Sequence, residues 1–137
     1  MVIVDEYDEI ARRIAARMAE LIRDKASRGE RAVLGLATGS TPIGVYRELI
    51  RLHRDEGLDF SNVVTFNLDE YYPMHPDSIH SYHRYMRENF FDHVNIPPSQ
   101  VHIPLGDIPR DLVASHCREY EAAIAEAGGI DLQLLGI

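Results

Sequence analysis

Two short segments of this chain carry the residue types from which proton transfer on an anionic substrate is built. Val63-Val64-Thr65-Phe66-Asn67-Leu68 is an apolar, β-type run that ends in Asp69-Glu70-Tyr71-Tyr72, two adjacent carboxylates followed by two tyrosines. A second apolar run, residues 32–37, passes into Thr38-Gly39-Ser40-Thr41-Pro42. Ligands of open α/β proteins sit beyond the C-terminal ends of the strands, so the first segment puts acid where a general base is useful. The second suits an anion. Glycine allows close backbone approach, the free N–H groups of a first helical turn carry the positive end of the helix dipole, and three hydroxyls add donors. Thr38, Gly39, Ser40 and Thr41 are therefore candidate phosphate ligands, and Asp69 is the candidate base. Plainer readings stand beside both: a capped strand-to-helix turn with Thr41 as N-cap and Pro42 as N1, and an acid pair that caps a helix or is solvated in a loop. Successive strand residues point to opposite faces, so Asp69 and Glu70 share one crevice only if the backbone turns between them.

Other chemistries find less support. The 38–41 turn is not a Walker motif, since no Gly-Lys-Ser/Thr follows, and it is not the dinucleotide fingerprint. Asp69, His75, Asp77, His80 and His83 crowd ligand types into a short span, but their spacing matches no compact metal motif and two prolines intervene, so no metal is expected. No serine occupies a nucleophile elbow, and Cys117 falls in a predicted helix without a nearby base. Lys25, the only lysine, lies late in a polar helix. Nucleophilic and Schiff-base catalysis are set aside.

Apolar periodicity supplies the scaffold. Asp5 caps a predicted helix whose Ile10, Ile14, Met18 and Ile22 recur every four residues, and Gly29 ends it. After the strand over 32–37 comes a helix with Ile43, Tyr46, Leu49 and Ile50 on one side, broken at Gly57. The strand over 63–68 leads into a loop over 71–77, and Ser78 or Ser81 caps a third helix with Tyr82, Tyr85, Met86 and Phe90 as its stripe. A turn over 95–99 and a short strand over 100–104 follow. Residues 107–110 introduce a fourth helix with Leu112, Val113, Tyr120 and Ile124 inward, Gly128-Gly129 stops it, and 130–137 reads as a last strand. This alternation predicts one α/β domain over residues 1–137, a Rossmann-like three-layer α/β/α arrangement on a parallel sheet, incomplete at the C-terminus. Stopping inside Leu134-Leu135-Gly136-Ile137, the chain reads as a fragment or as one with a sticky edge strand, and a homo-oligomer is expected.

Composition bounds the partners. At 137 residues, 45% hydrophobic and 26% charged, the chain can bury a real core, and disorder is not expected. Fourteen Lys plus Arg against 22 Asp plus Glu leave a formal charge of −8 with the basic residues scattered, so no nucleic-acid partner is expected. No apolar stretch approaches the roughly 20 residues of a membrane-spanning helix, and residues 1–6 are not a signal peptide; a cytoplasmic protein is expected. Cys117 stands alone, which fits a reducing compartment and a place in the core.

Three segments together carry a family resemblance. Leu34-Gly35-Leu36-Ala37-Thr38-Gly39-Ser40-Thr41-Pro42, then Val63-Val64-Thr65-Phe66-Asn67-Leu68-Asp69-Glu70-Tyr71, then Ser81-Tyr82 and Asn89-Phe90-Phe91-Asp92-His93-Val94, resemble the first half of the glucosamine-6-phosphate deaminases, in that family's order. The resemblance runs through essentially the whole chain, to the 130–137 strand. It implies conversion of glucosamine 6-phosphate to fructose 6-phosphate and ammonia, without metal or other cofactor. Asp69 matches the carboxylate that moves a proton from C2 to C1 through an enolamine, and residues 38–41 match the phosphate-binding loop. Glu70, Tyr71 and Tyr82 lie in matching segments and are expected to line the sugar pocket, whose ligand is a small amino-sugar phosphate.

The chain departs from that family after the Leu-Gly-Ile strand. The family continues with a glycine-rich loop bearing an acid, a histidine and a glutamate that open the pyranose ring, and later with basic residues of the phosphate clamp; none is present here. These 137 residues alone are therefore expected to be inactive. If the family's strand order holds, the cut passes beside the 38–41 turn, through the active site. Competing readings are a 6-phosphogluconolactonase or other sugar-phosphate isomerase of the same superfamily, which would share the anion turn but not Asn67-Leu68-Asp69-Glu70-Tyr71, and a non-catalytic sugar-phosphate sensor.

Overall fold

The computed structural model describes residues 7–135. Its parallel sheet has the order β3-β2-β1-β4, with β1 at Ala32–Leu36, β2 at Val63–Asn67, β3 at Val101–His102 and β4 at Leu132–Gln133. The helices are α1 at Tyr7–Ser27, α2 at Ile43–Glu56, α3 at Tyr82–Asn89 and α4 at Val113–Glu126. Every residue of β1 and β2 is buried, as continuous apolar runs in a central parallel pair require. Their register pairs Ala32 with Val63 and Leu36 with Asn67. Both strands therefore run out at one level, and the segments leaving them start side by side.

Alternation along the strands builds two cores. Ala32, Leu34, Leu36 and Val63 face α1, α2 and α3 in the larger one, where Phe90 stacks on Tyr46 at 5.0 Å and meets Phe60 edge-on at 5.7 Å. Val33, Val64 and Phe66 face Tyr120, Ala123, Ile124 and Ala127 near α4. The expected α/β/α layering with a parallel sheet is thus observed. Edge strand β4 is tied in by Asp131, whose N–H donates to the Val33 carbonyl at 2.8 Å and whose Oδ2 accepts from the Val33 N–H at 2.9 Å. Lys25 sits 3.6 Å from the same carboxylate.

Several expectations are corrected. α1 buries Ala11, Ala15, Met18, Ala19 and Ile22, while Ile10 is exposed, because the helix packs closely on α2: a methyl on Gly44 would come within 3.0 Å of the Ala11 methyl. Small side chains occupy the close approach and the larger isoleucine turns out. Helix α2 begins at Ile43 with Pro42 preceding it and no side-chain cap, so Thr41 is not an N-cap. Among the described residues, the strands expected over 100–104 and 130–137 are confined to Val101–His102 and Leu132–Gln133. Leu112 and Cys117 are exposed, since the face that α4 covers offers only Val33, Val64 and Phe66 as buried apolar partners. Asp5, Gly136 and Ile137 lie outside the described residues.

The loop after Asp69 is pinned to the segment before α4. The Tyr72 hydroxyl donates to the Ile108 carbonyl at 2.8 Å, and the Met74 N–H donates to the Gly106 carbonyl at 2.6 Å. A methyl on Gly106 would fall on the Tyr71 carbonyl oxygen and lie 2.9 Å from Met74 Cβ. Gly106→Ala is expected to cost about 1–3 kcal/mol, the usual range for overpacking. Urea unfolding measures it, and an unchanged midpoint would show that the 71–74 loop swings aside freely.

Candidate active site

Thr38, Gly39, Ser40, Thr41 and Asp69 line one cleft of about 580 Å³, together with Leu36, Ala37, Leu68 and Leu135. The in-register ends of β1 and β2 form its floor, the place where an open parallel sheet offers a crevice. Gly39 has φ +99°, a backbone conformation that favours glycine, and it lets the chain bend over the strand end. Asp69 is exposed into this cleft. Its hydrogen-bonding capacity is open to a ligand among the described residues.

Glu70 turns the other way. Its carboxylate accepts from the Ser81 hydroxyl at 2.7 Å, from the Tyr82 N–H at 3.0 Å and from the His83 N–H at 3.3 Å, and it lies 2.8 Å from His83 Nδ1. The Tyr71 N–H adds a bond at 2.9 Å. Ser81 is the N-cap of α3, its hydroxyl accepting from the His83 N–H at 3.0 Å. With its side chain only 2% exposed, Glu70 holds the first turn of α3 and is not among the cleft-lining residues. The strand alternation thus separates the two acids: one faces the cleft, the other anchors a helix.

That anchoring aims α3 at the turn. The Tyr82 hydroxyl is hydrogen-bonded to Tyr71 and to Thr38, and the two tyrosine rings lie 4.9 Å apart. The bond with Tyr71 and then burial hold the Tyr82 hydroxyl above its ordinary pKa, with the Asp69 charge adding to the effect, so it stays a neutral phenol. Tyr71 and Tyr82 are likewise not among the cleft-lining residues; Tyr82 adjoins the cleft through Thr38, whereas Glu70 reaches it only through α3. Tyr85, read as core from the sequence, is half-buried, and its hydroxyl donates to the Gly39 carbonyl. From beneath, Tyr46 donates to the Ala37 carbonyl and accepts from the Ala37 N–H at 3.1 Å. Tyr7 donates to the Thr41 carbonyl, lies 3.3 Å from the Ser40 carbonyl oxygen and accepts from the Gly44 N–H at 3.1 Å. Sequence reasoning missed Tyr7, Tyr46 and Tyr85 as site residues. Their signal was the phenol itself, since a tyrosine hydroxyl seeks a hydrogen-bond partner where phenylalanine has none to offer.

The histidines around the loop are engaged separately. His75 Nδ1 accepts from the Asp77 N–H at 3.1 Å, and His83 faces Glu70. They do not converge with Asp69.

Residues 5–137 match the family described as glucosamine-6-phosphate isomerases/6-phosphogluconolactonase. The chain belongs to that family. Over its whole length it is 49% identical to the glucosamine-6-phosphate deaminases of Thermoanaerobacter sp. and Halothermothrix orenii, covering 52% and 54% of them. It therefore spans about half the length of the curated relatives it matches. A solved structure described as a monomeric glucosamine-6-phosphate deaminase superposes with a TM-score of 0.90 at 44% identity, over 98% of this chain and 53% of that one. The 6-phosphogluconolactonase of Thermotoga maritima superposes with a TM-score of 0.75 at 22% identity, over all of this chain and 58% of that one, a likeness of fold. Among the described residues, no helix is long and apolar enough to cross a membrane.

The Glu70 network makes a pH-dependent prediction. Burial pushes its carboxyl up, but the bonds from Tyr82, His83, Ser81 and Tyr71 outweigh burial and hold it below its ordinary range. The stabilisation is therefore full above the unfolded carboxyl value of about 4.3 and is lost as pH falls through the lower folded value. Glu70→Gln is expected to cost about 1.5–3 kcal/mol at neutral pH, a charge-assisted hydrogen-bond loss, and the gap to wild type should close progressively below about pH 4. Denaturant melts across that range decide it; a gap independent of pH would show that the charge is not what holds α3.

Proposed function

We propose that this chain supplies the phosphate-binding turn and the proton-transfer base of a glucosamine-6-phosphate deaminase acting in amino-sugar catabolism in the cytoplasm. The observation that carries this reading is the shared cleft: Asp69 and residues 38–41 lie at the in-register ends of β1 and β2, with Leu36, Ala37, Leu68 and Leu135 lining the same cleft. Relatives at 49% identity that bear the deaminase name support the substrate class.

In this reading the turn binds the phosphate of the open-chain amino sugar, and that anchorage sets the distance from Asp69 to C2. The carboxylate removes the C2 proton, giving an enolamine, and returns a proton to C1. The resulting C2 imine takes up water and releases ammonia, leaving fructose 6-phosphate. A fixed substrate is what makes a carboxylate effective on a carbon acid, because the reacting atoms must stay within hydrogen-bond reach. Tyr71 and Tyr82 border the sugar. Self-association along the β4 edge belongs to the same reading, and a strictly monomeric elution profile at high concentration counts against it.

Thermal unfolding with and without ligand tests the proposal. Glucosamine 6-phosphate should raise the midpoint and 6-phosphogluconate should raise it less, with about 2.7 kcal/mol of added stability at a hundred times Kd. Asp69→Asn should keep the glucosamine 6-phosphate shift, while any ammonia release falls by about 10²–10⁴-fold, the usual contribution of a general base. Ammonia release that survives Asp69→Asn removes the base assignment, and a larger shift with 6-phosphogluconate favours a lactonase.

A further inference from the structure

We propose that Tyr85 is a positioning residue of the 38–41 turn, aided by Tyr7 and Tyr46: these hydroxyls hold the turn's carbonyls away from the cleft and leave the N–H groups of Thr38, Gly39 and Ser40 free for an anion. The inference rests on the phosphate-binding reading of that turn and extends it to residues on α1, α2 and α3.

The argument is one of peptide geometry. Among the described residues the only cis peptide is Tyr72–Pro73, so the peptides of the turn are trans, and the C=O and N–H of each point in opposite directions. Tyr46 holds the Ala37 carbonyl, which directs the Thr38 N–H to the other side. Tyr85 holds the Gly39 carbonyl, which does the same for the Ser40 N–H. Tyr7 takes the Thr41 carbonyl and lies beside that of Ser40. No hydrogen bond within the described residues uses the N–H of Thr38, Gly39 or Ser40. Gly39, at φ +99°, is the joint that lets these groups converge as an anion-binding nest.

Tyr85 is the informative member of the set. Tyr46 is completely buried in the main core, whereas Tyr85 reaches the turn from α3, the helix that Glu70 anchors. The carboxylate next to Asp69 thus orients a peptide of the phosphate turn through one helix and one hydroxyl. Burial, with a smaller push from Tyr7, lifts the Tyr85 hydroxyl to about 12, so it remains a donor throughout the neutral range.

The test compares wild type with Tyr85→Phe, each as the 137-residue chain, by amide NMR and by titration with inorganic phosphate. In the free protein, Tyr85→Phe should shift or split the Gly39 and Ser40 amide resonances and leave those of β1 and β2 in place. Phosphate Kd should rise about five- to tenfold, the loss of one hydrogen bond. Gly39 and Ser40 resonances that stay at their wild-type positions overturn the proposal, as does equal phosphate affinity of the two proteins. Should wild type bind no phosphate while the variant still moves the two resonances, the orienting role stands and the phosphate-binding reading falls.

Discussion

The cleft depends first on the pairing of β1 with β2. Because Ala32 lies opposite Val63 and Leu36 opposite Asn67, the two strands exhaust their ladder together, and an anion-suited turn and a carboxylate emerge at one height. A slip of one residue would turn Leu34 and Leu36 to the α4 side and move Thr38 relative to Asp69. The hydrophobic demand of the two cores therefore fixes the geometry of the polar site. Core packing and site geometry share one cause.

Adjacent carboxylates of the same chain take opposite tasks because of their surroundings. Asp69 is exposed to the cleft, while Glu70 is sealed beneath α3 and uses both oxygens on the helix N-terminus. Negative charge at that end of a helix is favoured by the dipole as well as by the individual bonds. Tyr82 and Tyr85 then lie one turn apart on the anchored helix, one meeting the Thr38 side chain and the other the Gly39 carbonyl.

Much of this was legible in the residues. The β-branched and apolar runs marked β1 and β2, Gly29 and Gly57 adopt the positive φ that ends helices, and Ser81 caps α3 as one of the two candidates. Chemistry and family resemblance single out the 38–41 turn and Asp69 as candidates, and the two share one cleft. What periodicity did not disclose was close approach: beside the expected Met18 and Ile22, the inward face of α1 carries Ala11, Ala15 and Ala19, and Ile10 is left exposed. Nor could it assign direction to Glu70, since alternation says that neighbours diverge without saying which one reaches the cleft. The tyrosines were hidden for a related reason. A helical stripe of aromatics satisfies the same pattern whether the rings serve only as core or also deliver hydroxyls.

The unequal loading of the two sheet faces has a dynamic consequence. Helix α4 contains no fully buried residue, and β3 and β4 contribute two residues each, so that side is held by the Val33, Val64 and Phe66 patch and by the Tyr120 hydroxyl, which bonds the Asn67 and His102 carbonyls. Such a layer opens as a separate cooperative unit at a fraction of the global free energy. The β1–β2 pair, buried between both cores, is expected to be the last part of the sheet to exchange its amide protons. Leu135, beyond β4, lines the cleft and Tyr120 holds the Asn67 carbonyl at the end of β2, so this outer layer adjoins the strand ends that frame the cleft.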